Sequence, residues 1–322
     1  MIVITGGAGF IGKELIEQLI ELEYLCIYDN IVVIDNNVEN INNLKKKYKN
    51  IKCISVENSL LWLPFNANNI DLVYHLGART NTGEKDINIF NKLNLNFSKI
   101  IWNLCVEYQI PLVYASSAAT YGDGEDGFND DYFDLKPLNP YGQSKHDFDL
   151  WVLEQEKTPP KWLGFKFFNV YGYGEDHKGK MASVIYHFYN QIKKNGTVKL
   201  FKSHIPECID GEQKRDFIYC KDVAKIFLFL IHLNIENGIY NLGTGVARSY
   251  NDLAKIIFKC LGKEENISYI DPPIEIRDNY QYYTQANMKN LIDLGVIVDN
   301  FYTLENGIKS YIKLLEKNYE NC

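Results

Sequence analysis

Ile2–Gly12 reads IVITGGAGFIG. Apolar β-formers run directly into a loop with glycines at 6, 9 and 12, and Lys13–Leu22 then takes helical spacing. A strand, a glycine turn and a helix in that order aim backbone N–H groups and the positive end of a helix dipole at one point. Glycines let a pyrophosphate approach the main chain there. A glycine triplet alone is equally an ordinary tight turn, so the flanking strand and helix are what point to a dinucleotide. Asp35 closes the next apolar run, Ile31–Ile34 (IVVI). A carboxylate at that place accepts hydrogen bonds from an adenosine ribose and favours NAD over the 2′-phosphate of NADP.

Moving outward, Ile2–Ile4, Ile31–Ile34, Asp71–Leu76 (DLVYHL), Leu112–Ala115 (LVYA) and Gly164–Phe168 (GFKFF) are short apolar runs. Their continuous hydrophobicity predicts strands buried on both faces, as in a parallel sheet. Between them Phe90, Leu93, Phe97, Ile100, Ile101, Leu104 and Tyr108 make one helical face. The alternation predicts an α/β, doubly wound parallel sheet of Rossmann type with a smaller α/β substrate lobe. The rhythm changes after Tyr171, while Asp222–Leu233 returns to helix and Ile239–Leu242 to strand. We therefore expect a dinucleotide-binding domain from 1–171 and 217–245, and a substrate-binding lobe from 172–216 and 246–322.

The chain has 322 residues, 46% of them hydrophobic, enough for a sizeable core. A net charge of −7 argues against a broad nucleic-acid surface. Seven cysteines, at 26, 53, 105, 208, 220, 260 and 322, form no CxxC pair, which fits thiols in a reducing cytoplasm. No metal site is expected. The longest apolar run, Ile226–Ile231, is too short to span a bilayer, so a soluble cytoplasmic protein with no membrane partner is expected.

Tyr141-Gly-Gln-Ser-Lys145 opens a helix after Pro137 and Pro140, and residues four apart share a helix face. A phenol near pKa 10 is a poor base at neutral pH. A neighbouring ammonium and a positive nicotinamide favour its phenolate, and the same lysine can bond the nicotinamide ribose. Ser117, in SSAATYG, follows a strand at the carboxyl edge of the sheet, where its hydroxyl can hold a substrate oxygen. A tyrosine and lysine at this spacing are common on exposed helices; the serine and the dinucleotide loop make the set specific.

With TGGAGFIG, SSAATYG, YGQSK and NVYG in place, the chain resembles the extended short-chain dehydrogenase/reductases that act on nucleotide sugars, over nearly its full length. That resemblance implies a hydride-transfer triad of Ser117, Tyr141 and Lys145, with Asn94 supporting the site. Dehydratases of the superfamily carry an acidic pair after the active-site hydroxyl. Here Ala118 and Ala119 stand there, which argues for an epimerase. DHKGKMASVIYH, YASSAATYG, KRDFIY and NLGTG narrow the resemblance to the ADP-L-glycero-D-manno-heptose 6-epimerase family, which makes the heptose donor for the lipopolysaccharide core.

This resemblance implies a second base at Lys178. Inversion at C6 puts the hydroxyl oxygen in two places relative to the cofactor, and proton transfer needs hydrogen-bond contact, so one group cannot serve both. Read without the resemblance, Lys178 is a solvated loop lysine or a phosphate contact. The resemblance further implies NADP, with NAD as the alternative, held by Gly6, Gly9, Phe10, Ile11, Gly12, Asp35, Asn36, Leu76, Gly77, Ala78, Asn94, Lys145, Val170 and Lys178. It implies substrate contacts from Ser117, Asn169, Lys180, His187, Phe201, Arg215 and Tyr280, with Arg215 on the diphosphate. It also implies a homo-oligomer, described as a pentamer. Arg215 can instead pair with Asp216, and His187 can be a helix histidine satisfied locally.

Four departures from the family pattern stand out. Lysines follow the second strand only at 45–47; Leu76-Gly77-Ala78-Arg79-Thr80 replaces Glu-Gly-Ala-Cys-Ser; Lys180 replaces a serine; and Lys202–Gln213 is longer and lacks Glu-Gly-Ser. An epimerase or oxidoreductase on another nucleotide sugar, such as a hexose 4-epimerase, shares the triad but has no need of Lys178. A non-catalytic dinucleotide-binding regulator would be expected to have lost part of the triad, which is complete here.

Overall fold

The structure, a computed structural model, describes residues 1–22, 30–277 and 280–319. Cys26 and Cys322 therefore lie outside the described residues. In chain order the first elements are β1 (Ile2–Thr5), α1 (Phe10–Glu21), β2 (Ile31–Ile34), α2 (Val38–Lys47), β3 (Lys52–Ile54), α3 (Val56–Asn66) and β4 (Leu72–His75). Next come α4 (Ile87–Phe90), a π-helix at Asn91–Asn96, α5 (Phe97–Glu107), β5 (Leu112–Ser117), α6 (Pro140–Leu153) and β6 (Trp162–Phe167). Then follow β7 (Asn169–Tyr171), α7 (Val184–Asn195), β8 (Val198–Phe201), β9 (Lys214–Tyr219), α8 (Cys220–Leu230) and β10 (Gly238–Leu242). The last are β11 (Ala247–Ser249), α9 (Tyr250–Cys260), β12 (Ile267–Ile270), α10 (Ile274–Arg277), α11 (Lys289–Asp293) and α12 (Leu304–Tyr319).

Seven strands form one sheet in the order β3-β2-β1-β4-β5-β6-β10. β1 pairs in parallel with β2 on one side, Ile2 opposite Ile31, and with β4 on the other, Ile2 opposite Leu72. The order of strands reverses there, so the crevice at the carboxyl ends of β1 and β4 is the topological switch point where such sheets bind ligands. Every residue of β2 and β4 is buried, as the unbroken apolar runs predict. β3, a half-exposed Lys-Cys-Ile at the sheet edge, was not expected, because three residues with one charge carry no strand period. The expected helix at 90–108 is real but interrupted: the π-helix separates α4 from α5.

Two compact units emerge: residues 1–120, 130–166 and 223–240, and residues 121–129, 167–222 and 241–322. The first unit holds most of the sheet and a core in which Trp102 meets Phe148, Trp151 and Trp162 edge-on. The second unit has a three-stranded sheet, β11-β9-β7, and a parallel pair, β12-β8. Its core is built from α7 (Ile185, Phe188, Ile192), α9 (Leu253, Ile257, Phe258) and α12 (Ile308, Tyr311, Ile312). Ser249 and Asp252 close a capping box at the start of α9, satisfying two of its free N–H groups. Among the described residues, no helix is long and apolar enough to cross a membrane, and no acid, histidine and cysteine cluster suits a metal ion.

Candidate active site

The glycine loop follows β1 because two of its members leave no room for a side chain. Gly6 has φ +65°, and a Cβ on it would lie 2.7 Å from the backbone N and Cα of Gly77. A Cβ on Gly12 would lie 2.6 Å from the Gly6 carbonyl oxygen, so this residue packs the first turn of α1 onto the loop. Gly9 caps α1 with no side-chain bond. Leu76-Gly77-Ala78 follows β4 and is tied to β1: Leu76 N donates to the Thr5 carbonyl at 3.1 Å and Gly77 N to Thr5 Oγ1 at 3.0 Å. Asp35 at the end of β2 accepts from Ala8 N at 3.1 Å and Asn37 N at 3.0 Å. Asn36 turns the other way, accepting from Val56 N at 2.9 Å. A cradle that any Cβ would fill, beside a helix start with no capping side chain, fits a dinucleotide pyrophosphate.

Ser117 ends β5 and Tyr141 opens α6, whose N-terminus is capped by Asn139 accepting from Gly142 N at 2.9 Å. The Ser117 hydroxyl accepts from Ala119 N at 3.1 Å and favours the phenolate of Tyr141. Lys145, 4% exposed, donates to the Ala115 carbonyl at 2.7 Å. Burial pushes Lys145 down to about 8, against the pull of Asp149. The expected lowering of the Tyr141 phenol counts on a bound, oxidised nicotinamide; in the chain without it the balance runs the other way. Burial holds Tyr141 above the ordinary phenol range, Ser117 opposing and Asp149 adding to the rise. Desolvation of the phenolate is the largest cause of that rise. Asn94 sits on the π-helix and clamps the Arg79 backbone from both sides: Oδ1 accepts from Arg79 N at 2.8 Å and Nδ2 donates to Arg79 O at 3.0 Å.

Sequence reasoning missed the charge pair beside this triad. Asp149 and Lys166 are both fully buried, with Lys166 Nζ 3.3 Å from Asp149 Oδ2. Ser116 donates to the same carboxylate at 2.6 Å, Tyr114 donates at 3.1 Å, and Lys166 donates to Thr120 Oγ1 at 2.9 Å. The pair ties β5, α6 and β6 together. A signal existed: Asp149 stands four residues after Lys145 on the same helix face, and Lys166 is a lone charge inside GFKFF.

In the second unit, Lys178 lies in a 3₁₀ segment, Asp176–Met181, broken at Gly179 by φ 53° and ψ −121°. The loop is held from below by Glu175, which is 0% exposed and was also missed. Its carboxylate accepts from Ser183 N and Ser183 Oγ, each at 2.6 Å. Burial pushes the Lys178 ammonium down, with Glu175 opposing. Lys180 is exposed, and its carbonyl accepts from His187 Nε2 at 3.3 Å, so His187 has a local partner as a helix histidine.

Arg215, 8% exposed, donates to the carbonyl of Lys214 at 2.8 Å and to that of Gln281. Its guanidinium lies 5.9 Å from the Tyr250 ring and 5.7 Å from the Tyr280 ring. No Arg215–Asp216 ion pair forms among the described residues. Asp216 is taken by Thr244 N and Oγ1, each at 2.7 Å, by Gly245 N at 2.9 Å and by Ala286 N at 3.1 Å. Phe201 meets Tyr280 edge-on at 6.4 Å. Burial pushes the Tyr280 phenol up. Asn169 is exposed and Val170 half-buried on β7, beside β9. Lys178, Lys180 and His187 are thus gathered on one loop and helix start, and Phe201, Arg215 and Tyr280 on another part of the same unit.

Comparison with known proteins places these features in a family. The NAD dependent epimerase/dehydratase family matches residues 2–243. The ADP-L-glycero-D-manno-heptose-6-epimerase of Fusobacterium nucleatum is 42% identical over 328 residues, 97% of each chain. That of Nitratidesulfovibrio vulgaris is 40% identical over 330 residues, again 97% of each chain. The crystal structure of the Helicobacter pylori ADP-L-glycero-D-manno-heptose-6-epimerase aligns with a TM-score of 0.78 at 28% identity, covering 98% of this chain and 96% of that one. The chain belongs to the NAD dependent epimerase/dehydratase family and, within it, to the ADP-L-glycero-D-manno-heptose-6-epimerases.

Proposed function

We propose that the protein is an isomerase that interconverts ADP-D-glycero-D-manno-heptose and ADP-L-glycero-D-manno-heptose, supplying heptose for a lipopolysaccharide core. The full-length identity to epimerases of that name carries this reading. A nicotinamide held by the glycine loop and Lys145 would supply reversible hydride chemistry at C6. Tyr141 takes the C6 hydroxyl proton in one configuration, Ser117 orients that oxygen, and Lys145 holds the nicotinamide ribose. Lys178 takes or returns the proton for the other configuration; its burial favours the neutral amine that a base requires. The 6-ketone turns between the two transfers. Arg215, buried with no carboxylate partner among the described residues and in an aromatic setting, suits the diphosphate. Asn169, Lys180, His187, Phe201 and Tyr280 complete the proposed sugar-nucleotide contacts.

The cofactor proposed is NADP, as the family resemblance implies. NAD is the second reading, favoured by Asp35, whose carboxylate suits a free ribose hydroxyl better than a 2′-phosphate. Denaturing the purified protein and identifying the released dinucleotide by chromatography separates them. A homo-oligomer and a cytoplasmic location belong to the same reading; light scattering tests the first.

The experiment that tests the function is turnover of ADP-D-glycero-D-manno-heptose in deuterated water, followed at C6 by NMR. Inversion without added cofactor and without solvent deuterium at C6 is expected; solvent label there points to carbanion chemistry and refutes hydride return. Tyr141→Phe and Lys178→Met should each suppress inversion by at least about 100-fold, the scale of a lost acid–base group. Near-normal turnover in Lys178→Met ends the two-base account.

A further inference from the structure

β4 ends in a histidine that the triad chemistry does not use. His75 is 2% exposed, with Nδ1 2.7 Å from Thr5 Oγ1 and Nε2 2.8 Å from Ser98 Oγ. Its proton positions follow by elimination. Ser98 donates its one hydroxyl proton to the Asn94 carbonyl, so toward the imidazole it only accepts, and Nε2 carries the hydrogen. The ring is neutral: burial first, and then Lys145, push it down to about 3. A neutral ring protonated on Nε2 has a bare Nδ1, which accepts from Thr5, whose oxygen accepts in turn from Gly77 N at 3.0 Å.

The chain of bonds continues past Ser98. Asn94 Nδ2 donates to Ser144 Oγ at 3.0 Å, and Ser144 Oγ donates to the Tyr141 carbonyl at 2.7 Å. Thr5, Ser98, Asn94 and Ser144 are each at most 2% exposed, so water does not compete for these links. One end of the chain is Gly77, against which Gly6 packs with no room for a Cβ. The other end is the residue proposed to move the substrate proton. The π-helix belongs to the same construction: it carries Asn94, whose carbonyl accepts from Ser98 one turn on.

We infer that His75 is a positioning residue, a single-tautomer imidazole that fixes the glycine loop in register with the Tyr141 helix through Thr5, Ser98, Asn94 and Ser144. An imidazole suits this post because it accepts on one side and donates on the other from a rigid plane. An amide such as glutamine reproduces both functions from a more flexible side chain, and an apolar residue reproduces neither. The inference rests on the reading of the glycine loop as the cofactor cradle and of Tyr141 as a proton-transfer group.

The test has two arms. In the first, long-range ¹H–¹⁵N correlation spectra of the full protein, with His75 assigned by its loss in His75→Gln, are recorded from about pH 5.5 to 8.5, a span covering the ordinary histidine range. A neutral ring protonated on Nε2 throughout is expected. A titration near the ordinary histidine value, or a ring protonated on Nδ1, overturns the inference. This arm needs no sugar, so its result is independent of the proposed function. In the second arm, turnover per bound nicotinamide is measured for Ser98→Ala, Thr5→Val, His75→Gln and His75→Leu. The expected loss in kcat is about 10- to 100-fold, with the sugar KM within about twofold, because misplacement near 1 Å costs about that much. His75→Gln should retain more activity than His75→Leu. Unchanged kcat per bound cofactor in Ser98→Ala and Thr5→Val, or a loss that tracks only the folded fraction, overturns it. An inactive parent protein refutes the proposed function and leaves the first arm to decide the inference.

Discussion

Replacing Lys166 by methionine removes one half of a dry ion pair and nearly preserves volume. Both side chains are fully buried and 3.3 Å apart, so at an effective dielectric constant of about 20 their attraction is about 5 kcal/mol. Losing the ammonium strands the Asp149 carboxylate, and breaking such buried pairs costs about 3–5 kcal/mol. Two hydroxyls still donate to the carboxylate, Ser116 at 2.6 Å and Tyr114 at 3.1 Å, which places the expected loss toward the lower end, about 3 kcal/mol. Thr120 is not stranded, since its hydroxyl donates to the Ser117 carbonyl at 2.9 Å. The assay is guanidinium unfolding followed by tryptophan fluorescence. All four tryptophans, Trp62, Trp102, Trp151 and Trp162, belong to the first unit, so the signal reads the unit that holds the pair. A loss of about 3 kcal/mol lowers the midpoint by on the order of 1 M. Adding Asp149→Asn removes the stranded charge and should restore about half of the loss or more. A midpoint for Lys166→Met within error of the parent, or a double variant no better than the single one, would refute the account of this pair as mutually dependent charges.

His75 is also a source of acid sensitivity. Its folded value is about 3 against 6.5 in the unfolded chain, so the unfolded state binds the extra proton and stability falls as pH drops below about 6.5. Between pH 7.5 and 5 this amounts to about 2 kcal/mol, which His75→Gln should abolish; equal pH slopes for the two proteins in urea titrations count against a buried neutral ring. Gly12→Ala puts a Cβ 2.6 Å from the Gly6 oxygen, so we expect about 1–3 kcal/mol of overpacking and at least about tenfold weaker dinucleotide binding by fluorescence titration. Binding equal to that of the parent contradicts the close-approach reading. Glu175→Gln removes the carboxylate that favours the charged Lys178, so the ascending limb of the pH–rate profile assigned to Lys178 should move to lower pH. Movement to higher pH removes Glu175 from that role.

Much of the fold is written locally. IVITGGAGFIG specifies a strand, a turn that only glycine fits and a helix through the sterics of neighbouring residues, and the buried runs announce a parallel sheet. The Tyr141–Lys145 spacing is likewise a helix property, legible without a fold. β3 was not legible, because a short edge strand takes its shape from its partner β2 rather than from its own pattern. Nor could the upward push of burial on the Tyr141 phenol be read, since it depends on how thoroughly distant chain removes water from the phenol.

What the sequence by itself determined, then, is the list of chemical groups and their order along strands and helices. Only the tertiary structure decided which polar groups are dry and whom they meet: His75 with Thr5 and Ser98, Lys166 with Asp149, Glu175 with Ser183, Arg215 with two tyrosine rings. The physical reason is range. Backbone conformation answers to neighbours a few residues away, whereas the cost of a buried charge or hydroxyl is set by whatever the folded chain brings to it from far along the sequence, as Thr5 is brought to His75 across 70 residues.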